Sequence, residues 1–294
     1  MELNVKPGRY VIAVSGGVDS MVLLDLLSKQ PNIELIVAHF NHGIRKDSDL
    51  DEELVKKEAE QRGLPFTTGR GELGPKASEA VARHARYEFL ESVRQKYQAD
   101  SIITAHHQDD VIETAFINLL RGTGHRGLTA ISSNESVVRP LLNIPKLKLV
   151  KYAKKNNLAW REDSTNEDTR YLRNKIRQNH LARLSPQDRG TIISYFDKVA
   201  KMEIEINHEI ATLSHKIMKS DQINREKFIG LPFSAGNELV RYWLLKKMTP
   251  DIDRLTIERI NTVLRSAKAG SRHSVKGKTY LYIDQKTAHF SDTL

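Results

Sequence analysis

The first residues in the chain suited to chemistry form a six-residue turn, Ser15-Gly16-Gly17-Val18-Asp19-Ser20. It follows an apolar run, Tyr10 to Val14, and precedes a helical stretch, Met21 to Leu27. A strand, a glycine turn and a helix N-terminus together make an anion site. The glycines let the backbone approach a phosphate, and the free N–H groups and positive dipole end of the helix face it. Ser15 and Ser20 can add hydroxyl donors. Asp19 is an acid inside an anion site, which makes sense if it holds Mg²⁺ between phosphates or orients the loop. The Gly-Lys-Ser/Thr ending of a Walker loop is missing, and so is the dinucleotide fingerprint Gly-x-Gly-x-x-Gly.

A second group lies about ninety residues on. Asp110 and Glu113 are three apart at the start of a helix, so they share a face. They follow a fourth predicted strand and therefore belong to the same sheet edge as the loop. A carboxylate pair can accept protons or hold an ammonium; it can equally cap a helix. His106, His107 and Asp109 beside the pair suggest a metal, but no set of three or four ligands at zinc spacing is evident. His39 and His42 read as loop or nucleotide contacts. Arg83, Arg86 and Arg121 fit phosphate contacts or surface ion pairs. Arg170-Tyr171-Leu172-Arg173-Asn174-Lys175-Ile176-Arg177 sets cations beside an aromatic. Arginines bind phosphate bidentately, and tyrosine stacks on unpaired bases.

The elements that must position these groups alternate. Strands are expected at 10–14, 33–39, 65–68, 101–105 and 137–142, with helices at 21–27, 52–63, 78–97 and 109–121. Such alternation predicts an α/β fold with a doubly wound, mostly parallel, Rossmann-like sheet. A basic helix over 146–156 and a polar, loop-like stretch over 159–180 follow. Beyond them the reading is a mainly helical domain with a terminal β-hairpin: a long amphipathic helix over 197–220, shorter ones near 237–248 and 254–266, and strands over 274–283 and around 288–290. The expected division is a catalytic domain over 1–185 and a second domain over 186–294.

Charge is uneven along the 294 residues. The chain carries net +9, yet residues 1–138 hold 16 cations and 20 anions while residues 139–189 hold 13 and 5. A basic block beside a mildly acidic catalytic region suits a polyanionic partner, or is simply a solvated face. Cysteine is absent, which removes disulfides, thiolate metal sites, iron–sulfur ligation and any persulfide on this chain. No apolar run approaches a bilayer span, and the first residues lack a signal-peptide core. The expectation is a soluble, cytoplasmic protein with no membrane partner.

Ser-Gly-Gly-x-Asp-Ser after a first strand resembles the pyrophosphate loop of the N-type ATP pyrophosphatases. Several further segments resemble the tRNA-Ile lysidine synthetases in particular. They are His39 to Arg45, Glu79 to Arg83 with Arg86-Tyr87, and Thr104 to Asp110 with Glu113-Thr114. Leu119 to Gly124, Arg139 to Leu142, Asp163 to Asn166 and Arg173 to Arg177 complete an ordered set over about residues 10 to 180. The chain is shorter than many members of that family and reads as lacking a second C-terminal domain.

The resemblance implies ATP and Mg²⁺, with Asp19 among the catalytic residues and as the Mg²⁺ ligand. It implies ATP-binding roles for Ser15, Gly16, Gly17, Val18, Asp19, Ser20 and His39. Asp110 and Glu113 would receive free L-lysine and help deprotonate it. Arg83, Arg121, Arg170, Arg173, Lys175 and Arg177 would face tRNA-Ile with a CAU anticodon. A homodimer is left open. The rival readings are a tRNA thiolase, disfavoured by the missing cysteines, a small-molecule amide synthetase, which leaves the basic block unexplained, and a non-enzymatic RNA-binding relative.

Overall fold

The computed structural model describes residues 1, 3–43, 48–71, 79–131, 136–162, 172–247 and 252–291. The chain forms two compact units, Met1–Val199 and Ala200–Leu294.

The first unit is built on a parallel sheet of β1 (Gly8–Ala13), β2 (Ile33–Asn41), β3 (Phe66–Arg70), β4 (Ser101–Ile103) and β5 (Val137–Val138), in the order β3-β2-β1-β4-β5. Its inner strands β2, β1 and β4 are apolar on both faces, as a sheet covered on both sides requires. Tyr10, Ile12, Leu35, Val37 and Ile103 pack on one face with α1 (Val18–Ser28), α2 (Ser48–Gln61) and α5 (Lys146–Lys155). Val11, Ile36, Ala38 and Ile102 pack on the other, with Leu90 and Val93 of α3 (Glu79–Lys96). Helix α1 lies so deep that nine of its eleven residues are buried, so its pattern is apolar on nearly every side rather than one stripe.

The sheet order reverses between β1 and β4, and ligands of open parallel sheets bind beyond the strand ends at such a switch. Helix α4 (Gln108–Leu120) leaves β4 there. Its apolar residues Ile112, Ala115 and Ile117 pack with Ile176 of α6 (Leu172–Asn179) and with Phe196 and Val199 of α7 (Pro186–Ile217).

Helix α6 corrects the loop expected over 159–180. Only Leu172 and Ile176 mark an apolar spacing among its polar residues, and packing of Ile176, 2% exposed, makes the helix. Helix α7 begins at Pro186, eleven residues before the expected start. Ser185 Oγ accepts from the Asp188 N–H at 3.1 Å, and Asp188 Oδ2 accepts from the Ser185 N–H at 3.0 Å. That reciprocal cap, with proline at the first helical position, starts the helix.

The second unit is not mainly helical. Besides the end of α7, α8 (Arg225–Ile229), α9 (Phe233–Lys247) and α10 (Arg254–Ser266), it holds a five-stranded antiparallel sheet. The strands are β6 (Met218–Lys219), β7 (Gln222–Asn224), β8 (Arg272–Lys276), β9 (Thr279–Ile283) and β10 (Thr287–Ser291), in the order β6-β7-β10-β9-β8. The run expected as one strand over 274–283 folds back at Gly277, whose φ of 60° suits glycine. Strands β6 and β7 are too short to show a period of two. Ile223, Leu281, Ile283, Ala288 and Phe290 cover one sheet face and pack with Trp243, Leu244 and Leu264.

Candidate active site

A pocket of about 440 Å³ opens at the carboxyl edge of β1, β2 and β4. Among its lining residues are Ser15, Gly17, Asp19, Ser20, His39, Asp51, Arg86, Tyr87, His106, Asp110 and Arg161. The structure thus brings the glycine turn and Asp110 to one space, although they are ninety residues apart.

The turn is held by the protein's own groups. Gly16 has φ +88°, and a Cβ there would come 3.4 Å from the Asp51 side chain. Ser20 Oγ donates to the Gly17 carbonyl at 2.9 Å and accepts from the Ser15 N–H at 3.2 Å. Arg161 closes over the turn: its N–H donates to the Gly16 carbonyl at 3.0 Å, and its Nε donates to Asp51 Oδ1 at 2.8 Å. His39 is buried. Its Nδ1 lies 2.8 Å from the Val14 carbonyl, so that nitrogen carries the proton and Nε2 is the acceptor of the neutral ring. Burial lowers the His39 pKa and keeps it neutral.

Asp19 stands in the first turn of α1 and is the centre of a charged cluster. Lys146 Nζ, at the first residue of α5, donates to both of its oxygens, at 2.7 and 2.6 Å. His107 Nε2 lies 3.6 Å from Asp19 Oδ2 and 3.5 Å from Asp110 Oδ2. Burial raises the Asp19 carboxyl, but His107 and Lys146 outweigh it and hold the pKa below the usual range. Burial lowers His107, yet its contact with Asp19 and the charge of Asp110 leave its pKa raised.

The carboxylate pair divides. Asp110 lines the pocket, and its Oδ2 accepts from the His107 N–H at 2.9 Å, capping α4. Glu113 is fully buried and lies outside the pocket lining. Arg173 Nε donates to its Oε1, and Arg177 Nε donates to its Oε2 at 3.0 Å. Arg177 Nη2 also reaches Asp110 Oδ1 at 3.4 Å. Burial raises the Glu113 carboxyl against the pull of Arg177 and Arg173. A line of alternating charge therefore runs Lys146, Asp19, His107, Asp110, Arg177, Glu113, Arg173.

The remaining expected residues scatter. Val18 is buried under the turn. Arg83 is exposed and lies over the Tyr87 ring at 4.8 Å. Arg121 is exposed at the C-terminal end of α4, about 20 Å of helix from its start. Lys175 is exposed on α6. Arg170, Tyr171 and the segment Asp163 to Asn166 lie outside the described residues, as do Ile44 and Arg45 of the first histidine segment. Lys146, Asp51 and Arg161 were not singled out in the sequence. Lys146 is one of 13 cations in the basic block, and nothing local marks it beyond its place four residues after Arg139-Pro140-Leu141-Leu142.

Among the described residues no group of three or more histidines and acids could hold a metal. Mg²⁺ would fit here only with phosphate oxygens and water completing what Asp19 supplies. No helix of the described residues is long and apolar enough to cross a membrane.

Residues 2–184 match the family model of the PP-loop domain. The chain is 35% identical over 274 residues to a protein of Exiguobacterium sibiricum named tRNA(Ile)-lysidine synthase, covering 90% of this chain and 64% of that one. It is 39% identical over 184 residues to the protein of the same name from Thermotoga maritima, covering 59% of this chain and 44% of that one. The chain thus spans about two-thirds or less of these relatives' length. Its fold resembles that of the U34-tRNA thiolase of Methanococcus maripaludis, solved with its [4Fe-4S] cluster. The TM-score is 0.53 at 18% identity, over 67% of this chain and 74% of that chain.

Proposed function

This chain belongs to the PP-loop domain family, an ATP-binding family, and from that premise we propose that it is a tRNA(Ile)-lysidine synthetase, a ligase that forms a C–N bond. The substrates are ATP, free L-lysine and the CAU-anticodon tRNA-Ile. The C2 carbonyl oxygen of the wobble cytidine attacks the α-phosphorus of ATP, and the α–β bridging bond breaks with its electrons leaving on pyrophosphate. The ε-amine of lysine then attacks C2, and AMP departs with the former carbonyl oxygen. The product is lysidine, which reads AUA in place of AUG and changes the tRNA's identity from Met to Ile.

The observation that carries this reading is the shared pocket. A phosphate-cradling turn and the Asp110 carboxylate face one cavity, which suits an adenylation followed by attack of an ammonium-bearing nucleophile. Ser15, Gly16, Gly17, Val18 and Ser20 cradle the phosphates, and neutral His39 offers an acceptor to the nucleotide. Asp110 receives the lysine ammonium and takes its proton. Glu113, sealed beneath Arg173 and Arg177, acts through them as a positioning residue. Mg²⁺ on Asp19 would neutralise phosphate charge. Of the remaining cations, Arg83, Arg121, Lys175 and the exposed faces of Arg173 and Arg177 serve tRNA contact.

The second unit is a further part of the tRNA-binding surface in this proposal. Its polar sheet face sets Arg272 over the Tyr280 ring at 4.6 Å and stacks Tyr282 on His289 at 5.4 Å, groups that suit stacking and phosphate contact. Absence of cysteine disfavours the thiolase alternative on this chain's own residues. The test is pyrophosphate release from ATP by the full chain with tRNA and lysine added singly and together. Release that needs both supports the reading. Release with tRNA and a sulfur donor, or with a small-molecule acid and no tRNA, overturns it.

A further inference from the structure

Lys146 has no task in the scheme above, yet its ammonium donates to both carboxylate oxygens of Asp19, the acid of the turn. We propose that Lys146 is the cation of the leaving group: it rests on Asp19 in the free protein and passes to the departing pyrophosphate when the polyphosphate fills the turn. This rests on the adenylation step proposed above.

Three observations carry it. First, the turn supplies no cationic side chain of its own. Residues 15–20 contain one charged side chain, and it is the acid Asp19. ATP brings about four negative charges, and the lysine that a Walker loop places within its own sequence is missing here. Lys146 delivers an ammonium to the same place from α5. Second, Asp19 does not need Lys146 to remain ionised. It sits in the first turn of α1, where the helix dipole favours a carboxylate, and His107 stands 3.6 Å away. Third, the ion pair is placed to break. The Lys146 side chain is 38% exposed and that of Asp19 25%, so water reaches both partners and the ammonium can exchange partners more easily than in a sealed pair. The base of the side chain stays fixed meanwhile, because the Lys146 N–H lies 3.4 Å from Asp109 Oδ1 and α5 packs on α1.

In the step itself the Lys146 ammonium keeps its protons. It donates hydrogen bonds to the oxygens that gain charge as the α–β bond breaks, the kind of stabilisation that grows along the reaction. Asp19, released from Lys146, turns its carboxylate to the phosphate side, where Mg²⁺ would bind.

The test is calorimetric titration of the full chain with inorganic pyrophosphate, in chelator, with AMP as the control ligand. Lys146→Met is expected to weaken pyrophosphate about tenfold, Lys146→Arg by less than about threefold, and AMP affinity is expected to be unchanged in both. Asp19→Asn frees Lys146, so it is expected to tighten metal-free pyrophosphate several-fold, and the gain is expected to vanish in Asp19→Asn with Lys146→Met. Wild-type pyrophosphate affinity in folded Lys146→Met overturns the assignment. So does a gain in Asp19→Asn that survives removal of Lys146. Should Lys146→Met not fold, Asp19→Asn and the double variant, neither of which leaves an unpaired Asp19 charge, decide it. Pyrophosphate results of the expected pattern in a chain that transfers no lysine would keep Lys146 and discard the lysidine reading; the reverse pattern would do the opposite.

Discussion

Asp19 and Glu113 are both acids in helices that leave central strands at the same sheet edge, and the fold treats them oppositely. Asp19 faces the pocket, a quarter exposed, and its cation Lys146 is also reachable by water. Glu113 is sealed at 0% exposure, with two guanidiniums upon it whose outer parts remain exposed. The first arrangement is made to exchange partners. The second is made to stay, and to hold Arg177 against Asp110. A motif in the sequence names an acid; only the fold says whether its counter-charge is a temporary or a permanent one.

The sharpest way to break this contrast is to remove each acid. Glu113→Ala is expected to destabilise the protein by about 3 kcal/mol, the low end for a broken buried pair because both arginines keep some contact with water. Asp19→Ala is expected to cost less than about 1 kcal/mol. Thermal or denaturant melts of the two variants check this, and equal losses would erase the distinction. Next comes Asp110, the acid that shares the pocket. Asp110→Asn is expected to slow lysine transfer from preformed adenylate about a hundredfold in single turnover while adenylate still forms. An unaffected transfer rate would remove Asp110 from that role.

A smaller effect is expected at α6. Replacing Arg177 by Gln should weaken tRNA binding and lower the slope of log affinity against log salt by about one, if its outer face meets a phosphate. An unchanged slope would leave Arg177 as a counter-ion of Asp110 and Glu113 alone.

Adjacent histidines give the finest comparison. Burial pushes His106 down to about 4, with Asp110 pulling it back and nearby arginines adding to the fall. An unfolded chain takes up a proton near pH 6.5 where the folded one does not. Stability is therefore lost as pH falls from about 6.5 to about 4, by at most ~1.4 kcal/mol per pH unit from this group. His107 is raised, so its contribution is present below the ordinary histidine pKa and is lost as pH rises through the raised one. His106→Gln is expected to flatten the acid side of the stability profile, and His107→Gln the neutral-to-alkaline side. Profiles that change on the same side would refute the separate environments.

Much of this was readable before the fold. The glycine turn, the strand–helix alternation and the placing of Asp110 at the same edge follow from local signals: a glycine at φ +88°, apolar runs, and helix starts. What was hidden depends on distance in sequence. Lys146 reaches Asp19 across 127 residues, and Arg173 reaches Glu113 across 60. No local pattern distinguishes these cations from their neighbours. The spacing of Asp110 and Glu113 correctly put them on one helix, yet burial separated their surroundings. The α6 helix and strands β6 and β7 were missed because so few residues per element carry the apolar signal, and tertiary packing makes up the rest.

The proposed activity joins lysine to a tRNA cytidine. Its most direct test is mass spectrometry of the wobble nucleoside of CAU-anticodon tRNA-Ile after incubation with the full chain, ATP, Mg²⁺ and isotopically labelled lysine. The expected product is a cytidine enlarged by one labelled lysine less one water, formed only with ATP. An unmodified cytidine, or one in which sulfur has replaced the C2 oxygen, would contradict it.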